Sequence, residues 1–212
     1  MSAVPLRLFW NARLDEVLRA LIAIPSTQRL FNPYRDHNPA VEGPSAPRIR
    51  CQNLRIYLEA TPPGTPLWLG EAQARRGACR TGIPFCGELA LPRLGLPLIQ
   101  PTNEALPDGP TARAIWDAAP DPLPLFWNAV SQHPHRGDGR TRSPTAAEIV
   151  VNLPVLRALI AWKRPSRILC IGRIAERAAR DLPVPATYVR HPAQGGLQQF
   201  RIGAAAFIEQ SD

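Results

Sequence analysis

Apolar positions along the chain follow two rhythms. Between residues 11 and 24, Leu14, Val17, Leu18, Leu21 and Ile22 recur three and four apart, the spacing of one helix face, and Pro25 stops the run. Residues 25–47 are rich in Pro, Asn and Asp, the composition of an ordered loop or extended arm. A second helix is predicted over about 48–60, with Leu54, Tyr57 and Leu58 on one face.

The rhythm then changes to short continuous apolar runs closed by glycine or a polar residue. Pro66 to Gly70, Leu123 to Asn128, Arg167 to Gly172 and Ala186 to Arg190 each read as a strand buried on both faces of a parallel sheet. Helical patterns separate them at Thr111 to Ala119, Thr145 to Trp162 and Ile174 to Leu182, and a last helix is predicted over about 196–209. Thr145 and Glu148 have the spacing of a capping box. Strands alternating with helices predict a three-layer α/β/α fold around a short four-stranded parallel sheet. One domain is expected over residues 1–212, with the helix and Pro-rich arm of residues 1–47 packed on it. No internal repeat is visible. Ligands of such sheets gather at the carboxyl ends of the strands, where Glu71, Asn128 and His191 stand.

Composition narrows the classes. Apolar residues make up 45% of the chain, ordinary for a globule, and no apolar run reaches the roughly 18–20 residues of a membrane span. Asp15 and Glu16 break the first apolar stretch and no small-residue cleavage site follows, so a cytoplasmic protein without a signal peptide is expected. Four cysteines, at 51, 79, 86 and 170, are too sparse for a disulfide framework, and Cys170 reads as a core thiol. A formal charge of +8 and a pI near 10.3 favour a polyanionic partner such as DNA. Lys163 is the only lysine, however, so 24 of the 25 basic residues are arginine, and proline reaches 25. A GC-rich coding bias gives the same skew, so charge alone leaves the partner open.

Three motifs carry the chemistry. Gly70-Glu71-Ala72-Gln73-Ala74 precedes Thr81-Gly82-Ile83-Pro84-Phe85; Trp127-Asn128-Ala129-Val130 follows; His191-Pro192-Ala193 comes last. Each lies at the end of a predicted strand. As an ordered set they resemble the uracil-DNA glycosylase superfamily. Several of its branches read Gly-Glu-Ala-Pro-Gly with a Gly-x-Pro-Phe element, then a strand ending in a uracil-reading Asn, then His-Pro-Ser. The resemblance spans roughly residues 50–210 and implies a glycosylase that hydrolyses the N-glycosidic bond of a flipped-out uracil in DNA, as in base excision repair.

That chemistry explains the residue types. Cleavage builds positive charge on the sugar and negative charge on the leaving base. The resemblance gives Glu71 the carboxylate role of stabilising the sugar and aligning water. His191 becomes the neutral donor to the base O2. Asn128 has both a donor and an acceptor for the O4 and N3–H edge of uracil, and opposes the pattern of cytosine. Phe85 would stack on the base, with Gly70 and Ala72 forming the adjoining backbone. Structural readings stand beside these: Glu71 capping a turn, Asn128 closing its strand, His191 as a loop histidine, Phe85 as a core aromatic.

Departures from the family pattern matter. Gln73 and Ala74 replace the usual Pro-Gly, which leaves the water position open. Residues 1–50 hold no cysteine and none lies between Asn128 and Cys170, so the branch without an iron–sulfur cluster is expected. Where relatives place an apolar wedge after His-Pro, Gln194 or Leu197 must fill the gap of the flipped nucleotide. The basic, Gly-rich stretch 133–142 offers Arg136, Arg140 and Arg142 to phosphates, or is a solvated loop; Arg75, Arg76 and Arg80 pose the same choice. Cys79, Cys86, His133, His135 and His191 have no familiar ligand spacing, so no metal is expected.

With Lys163 far from the motifs, a Schiff base is not expected, and the enzyme is expected to be monofunctional, monomeric and without cofactor. Two alternatives remain. One is a glycosylase for hypoxanthine, xanthine or mismatched thymine. The other is a low-turnover binder of abasic or uracil-DNA, with His191 as nucleophile in a branch whose inserted loop is not recognised here.

Overall fold

A computed structural model describes residues 11–137 and 139–210. The first ten residues of the expected N-terminal arm, Asp138 of the basic stretch and the last two residues lie outside it. Helix α1 (Ala12–Ala23) is capped by Asn11, whose side chain accepts from the Leu14 N–H at 3.2 Å. A two-residue strand β1 (Leu30–Phe31) precedes α2 (Ala46–Ala60). Next come β2 (Leu67–Ala72), a single turn α3 (Ala78–Thr81), a 3₁₀ segment over Glu88–Leu94, and α4 (Pro110–Ala118). The second half holds β3 (Leu125–Val130), β4 (His133–Pro134), α5 (Ala146–Lys163), β5 (Ile168–Ile171), α6 (Arg173–Ala179), β6 (Ala186–Val189) and α7 (Leu197–Glu209).

The main sheet has four strands in the order β3-β2-β5-β6, all parallel. Leu67 and Leu69 on one face of β2 are fully buried, and Trp68 on the other is 1% exposed, so helices cover both faces. On the Trp68 face, Phe126 is the hub of an edge-on aromatic cluster, with ring centroids 6.2 Å from Trp68, 5.8 Å from Phe85 and 5.3 Å from Trp116. Phe200 of α7 packs on Trp68 in the same manner. Helix α5 lies between α1 and β3, which accounts for its many apolar residues. Its first turn carries the capping box that the sequence predicts: Thr145 accepts from the Glu148 N–H, and Glu148 accepts from the Thr145 N–H.

The observed strands match the apolar runs to within one or two residues, and the first runs on to include Glu71 and Ala72. Four elements leave no such signature. The antiparallel pair β1–β4 joins the Pro-rich arm to the residues after Asn128, and α3 and the 3₁₀ segment fill the stretch after the first motif.

The arm of residues 25–45 is fixed largely by buried polar side chains. Asn32 donates to the carbonyls of Leu21 and Ile24 at 2.8 and 2.6 Å, closing the end of α1. Arg50 of α2, with no exposed surface, donates to Pro33 O, to Asp36 O at 2.8 Å and to both carboxylate oxygens of Glu42. Tyr34 donates its hydroxyl proton to Gly82 O at 2.9 Å. Removing one partner of a buried pair strands the other. Arg50→Ala is therefore expected to cost about 3–5 kcal/mol in urea denaturation; a loss below about 1 kcal/mol would show that the arm is not held this way.

Candidate active site

Parallel strands in register bring their carboxyl ends to one rim. Gly70 of β2 lies opposite Asn128 of β3; β5 runs into Gly172; β6 runs into Arg190 and His191. The sequence-predicted residues therefore gather at one edge, in two adjoining groups.

The first group lies against Gly70. A Cβ placed there would lie 2.3 Å from Phe85 Cζ and 2.5 Å from Asn128 Oδ1, so only glycine lets the ring and amide meet at this point. Phe85 has a backbone φ of 57°, a left-handed conformation that an aromatic residue adopts only when its surroundings impose it. Those surroundings are the edge-on packing on Phe126 and a 2.8 Å hydrogen bond from Trp116 Nε1 to the Phe85 carbonyl. Asn128 is 2% exposed; its Nδ2 donates to Gln73 Oε1 at 3.0 Å, while its buried Oδ1 has no partner. Such an orphaned acceptor is rare in a folded interior.

The second group surrounds Gly172. Its φ of 92° is a conformation reserved for glycine, and a Cβ there would lie 3.2 Å from Glu71 Oε1 and 3.3 to 3.5 Å from His191. Carboxylate and imidazole thus meet across one bare backbone position. Burial raises the Glu71 carboxyl above its ordinary pKa of 4.5. Burial, with Arg190 beside it, lowers the His191 imidazole below 6.5. The Ala193 N–H donates to His191 Nδ1 at 3.1 Å, so a neutral ring carries its proton on Nε2.

Other predicted residues fall into two sets. Ala72 ends β2, half-buried beside Val130. Arg75, Arg76, Arg136 and Arg140 are exposed. Gln194, exposed, has a φ of 53°, and Leu197 opens α7 with 39% exposure. A groove of about 290 Å³ between α4 and α7 borders the rim at Pro192, Ala193 and Leu197 and carries Arg113 and Arg201.

Arg142 and Arg80 correct the sequence reading. All five N–H donors of Arg142 are engaged: Nε with His135 O, Nη1 with Ser143 O and Glu148, Nη2 with Arg29 O and Glu148. None is left for a phosphate. Arg80 is buried and bonded to Glu88, Thr102 and Glu104 O, a structural clamp. Among the described residues no three metal-ligating side chains come together, and the cysteines are free thiols.

Sequence reasoning missed three participants. Gly172 was visible only as a glycine ending a strand. Gln73 registered as a departure from the family pattern, not as the partner of Asn128. Tyr34 sits in the Pro-rich arm with no periodic signal.

No family model matches the chain, and no curated protein matches it. Among solved structures the fold is similar to the crystal structure of wild-type SMUG2 from Pedobacter heparinus. The identity is 14%, the TM-score 0.61, and the alignment covers 93% of this chain and 97% of that one. The likeness is one of fold: a four-stranded parallel sheet flanked by helices. No described helix is long and apolar enough to cross a membrane.

The site makes a prediction independent of any reaction. In an NMR titration the His191 midpoint falls below 6.5, and the neutral ring shows the Nε2–H tautomer. The fold takes up this proton less readily than the unfolded chain, so His191 contributes stability at neutral pH that is lost as pH falls through its folded pKa. A midpoint above 6.5 or an Nδ1–H tautomer contradicts the geometry.

Proposed function

We propose that this protein is a DNA glycosylase that hydrolyses the N-glycosidic bond of a flipped-out base, with uracil as the best-fitting base. The carrying observation is the buried, unpartnered Asn128 Oδ1 at the rim where Glu71 and His191 meet. An acceptor there matches the N3–H of uracil and opposes the N3 lone pair of cytosine. The fold of Pedobacter heparinus SMUG2 supports the same reading.

In this reading Glu71, ionised above its raised pKa, aligns water and offsets the positive charge that develops on the sugar. The Nε2–H of His191 donates to O2 as the base leaves with the bond's electrons. That proton position supports a donor role for the imidazole over a nucleophilic one. Phe85 stacks on the base. Asn128 is closed off, so an entering base must first displace what covers it, and the Phe85 ring is its immediate neighbour at Gly70. Leu197 or Gln194 would occupy the gap in the duplex, and Arg75, Arg76, Arg136 and Arg140 would meet phosphates.

The deciding experiment is a panel of oligonucleotides bearing uracil, hypoxanthine, xanthine or mismatched thymine, assayed for free base. Wild type is expected to release uracil fastest. Glu71→Gln should slow release by about a hundredfold or more, while raising the melting temperature at neutral pH. The sign follows because a carboxyl with a raised pKa binds more protons folded than unfolded, so its ionisation above that pKa opposes folding. Asn128→Ala should weaken uracil release by a similar factor. Failure of the wild type to release any base overturns the proposal; fastest release of hypoxanthine redirects it to that base.

Lys163 supports hydrolysis without lyase activity. It is 3% exposed, donates to Leu58 O and Thr61 O, and lies by the amino ends of the strands, its carbonyl accepting from the Gly64 N–H. Borohydride is expected to trap no covalent enzyme–DNA adduct; a trapped adduct would require an amine nucleophile elsewhere.

A further inference from the structure

The proposed reading leaves one question open. A carboxamide has a donor end and an acceptor end of nearly equal shape, so packing alone does not decide which end of Asn128 faces the base. Hydrogen bonds must decide it, and in this structure they form a directed chain.

The chain starts at a carbonyl, which can only accept. Gly82 O takes the single hydroxyl proton of Tyr34 at 2.9 Å. The phenol oxygen is then left to accept, and it does so from Gln73 Nε2 at 3.3 Å. That turns Gln73 Oε1 toward Asn128, whose Nδ2 donates to it at 3.0 Å. Asn128 Oδ1 is left at the far end, pointing at the Gly70 face beside Phe85. Tyr34, Gln73 and Asn128 are 2%, 1% and 2% exposed, so water does not compete along the chain. Burial also keeps the phenol protonated, raising its pKa well above 10.0.

Backbone fixes the anchor. Gly82 closes α3 with a φ of 86°, its N–H bonded to Ala78 O at 2.8 Å, and a Cβ there would collide with the Arg50 backbone. The same short segment continues to Phe85, so one loop sets both the ring and the start of the chain. Gln73 is held by its own N–H, which donates to Gln132 O at 3.1 Å.

We infer that Gln73 and Tyr34 are positioning residues that hold the Asn128 carbonyl oxygen toward the base, and so set the preference for uracil over cytosine. The inference rests on the glycosylase reading and assigns its specificity to two residues outside the base contact. With the chain reversed, Asn128 would present its N–H₂, a donor that repels uracil N3–H and suits cytosine N3. Reversal requires the Tyr34 hydroxyl to abandon Gly82 O, leaving that carbonyl without its partner.

The test uses the whole protein and reads a ratio. Binding is measured to duplexes carrying 2′-fluoro-2′-deoxyuridine or 2′-fluoro-2′-deoxycytidine, alongside release of uracil from ordinary DNA. Tyr34→Phe removes the phenol link, and Gln73→Met removes both the donor and the acceptor of the amide at similar size. Each is expected to lower the uracil-to-cytosine binding ratio by about tenfold or more. Gln73→Glu, assayed above the pKa to which burial raises its carboxyl, keeps only acceptors, which hold Asn128 Nδ2 as before. Added to Tyr34→Phe it should restore the ratio to within about threefold of wild type, a rescue that simple repacking would not give. Thermal melts accompany each variant; should Tyr34→Phe not fold, Gln73→Met against Gln73→Glu carries the comparison.

If wild type releases uracil but the ratio survives in both Tyr34→Phe and Gln73→Met, or affinity falls equally for both bases, the inference is overturned and the glycosylase reading stands. If wild type neither releases nor prefers uracil, both fall together.

Discussion

Gly70 faces Asn128 across the β2–β3 ladder, and that register is the constraint from which the rest of the candidate site takes its position. A slip of one residue would turn Trp68 and Asn128 to the opposite faces of the sheet. The buried faces forbid it: Leu67, Trp68 and Leu69 on β2, and all of β3, are held by packing on both sides. Parallel pairing carries the same order across to β5 and β6, so Gly172 and His191 arrive at the rim already aligned. The apolar core thereby places the polar groups of the rim.

Those groups stand where burial works against them. The same loss of water raises the Glu71 carboxyl and lowers the His191 imidazole, and it leaves Asn128 Oδ1 without a partner. Phe85 adds a left-handed backbone. The ionised carboxyl, the unpartnered amide oxygen and the left-handed backbone each oppose folding. Strain and an unsatisfied group at one rim are the features on which the proposed function rests, carried by the apolar core around them.

Much of this was legible in the sequence because it is periodic or local. The four apolar runs, the amphipathic face of α1 and the Thr145–Glu148 box each follow from spacing alone. Strand ends gave Glu71, Asn128 and His191 their common edge. The arginines were less readable. Arg142 lies in a basic, glycine-rich stretch and resembles a phosphate contact. Its partner is Glu148, the same residue that closes the capping box, so one carboxylate serves two purposes that spacing could reveal only one at a time. Arg80 was hidden by the irregular segment that supplies Glu88 and Glu104. The link from Tyr34 to Gln73 joins residues 39 positions apart through side-chain atoms, and such bonds leave no period in a sequence.

In the proposed function, carboxylate, amide and imidazole surround one base. A crystal structure with duplex DNA carrying 2′-fluoro-2′-deoxyuridine, which resists cleavage, tests it directly. The expected result is an extruded uracil with N3 about 3 Å from Asn128 Oδ1 and O2 about 3 Å from His191 Nε2, with Glu71 beside the sugar C1′. A base bound away from this rim, or one that meets Asn128 while Glu71 and His191 face elsewhere, contradicts it.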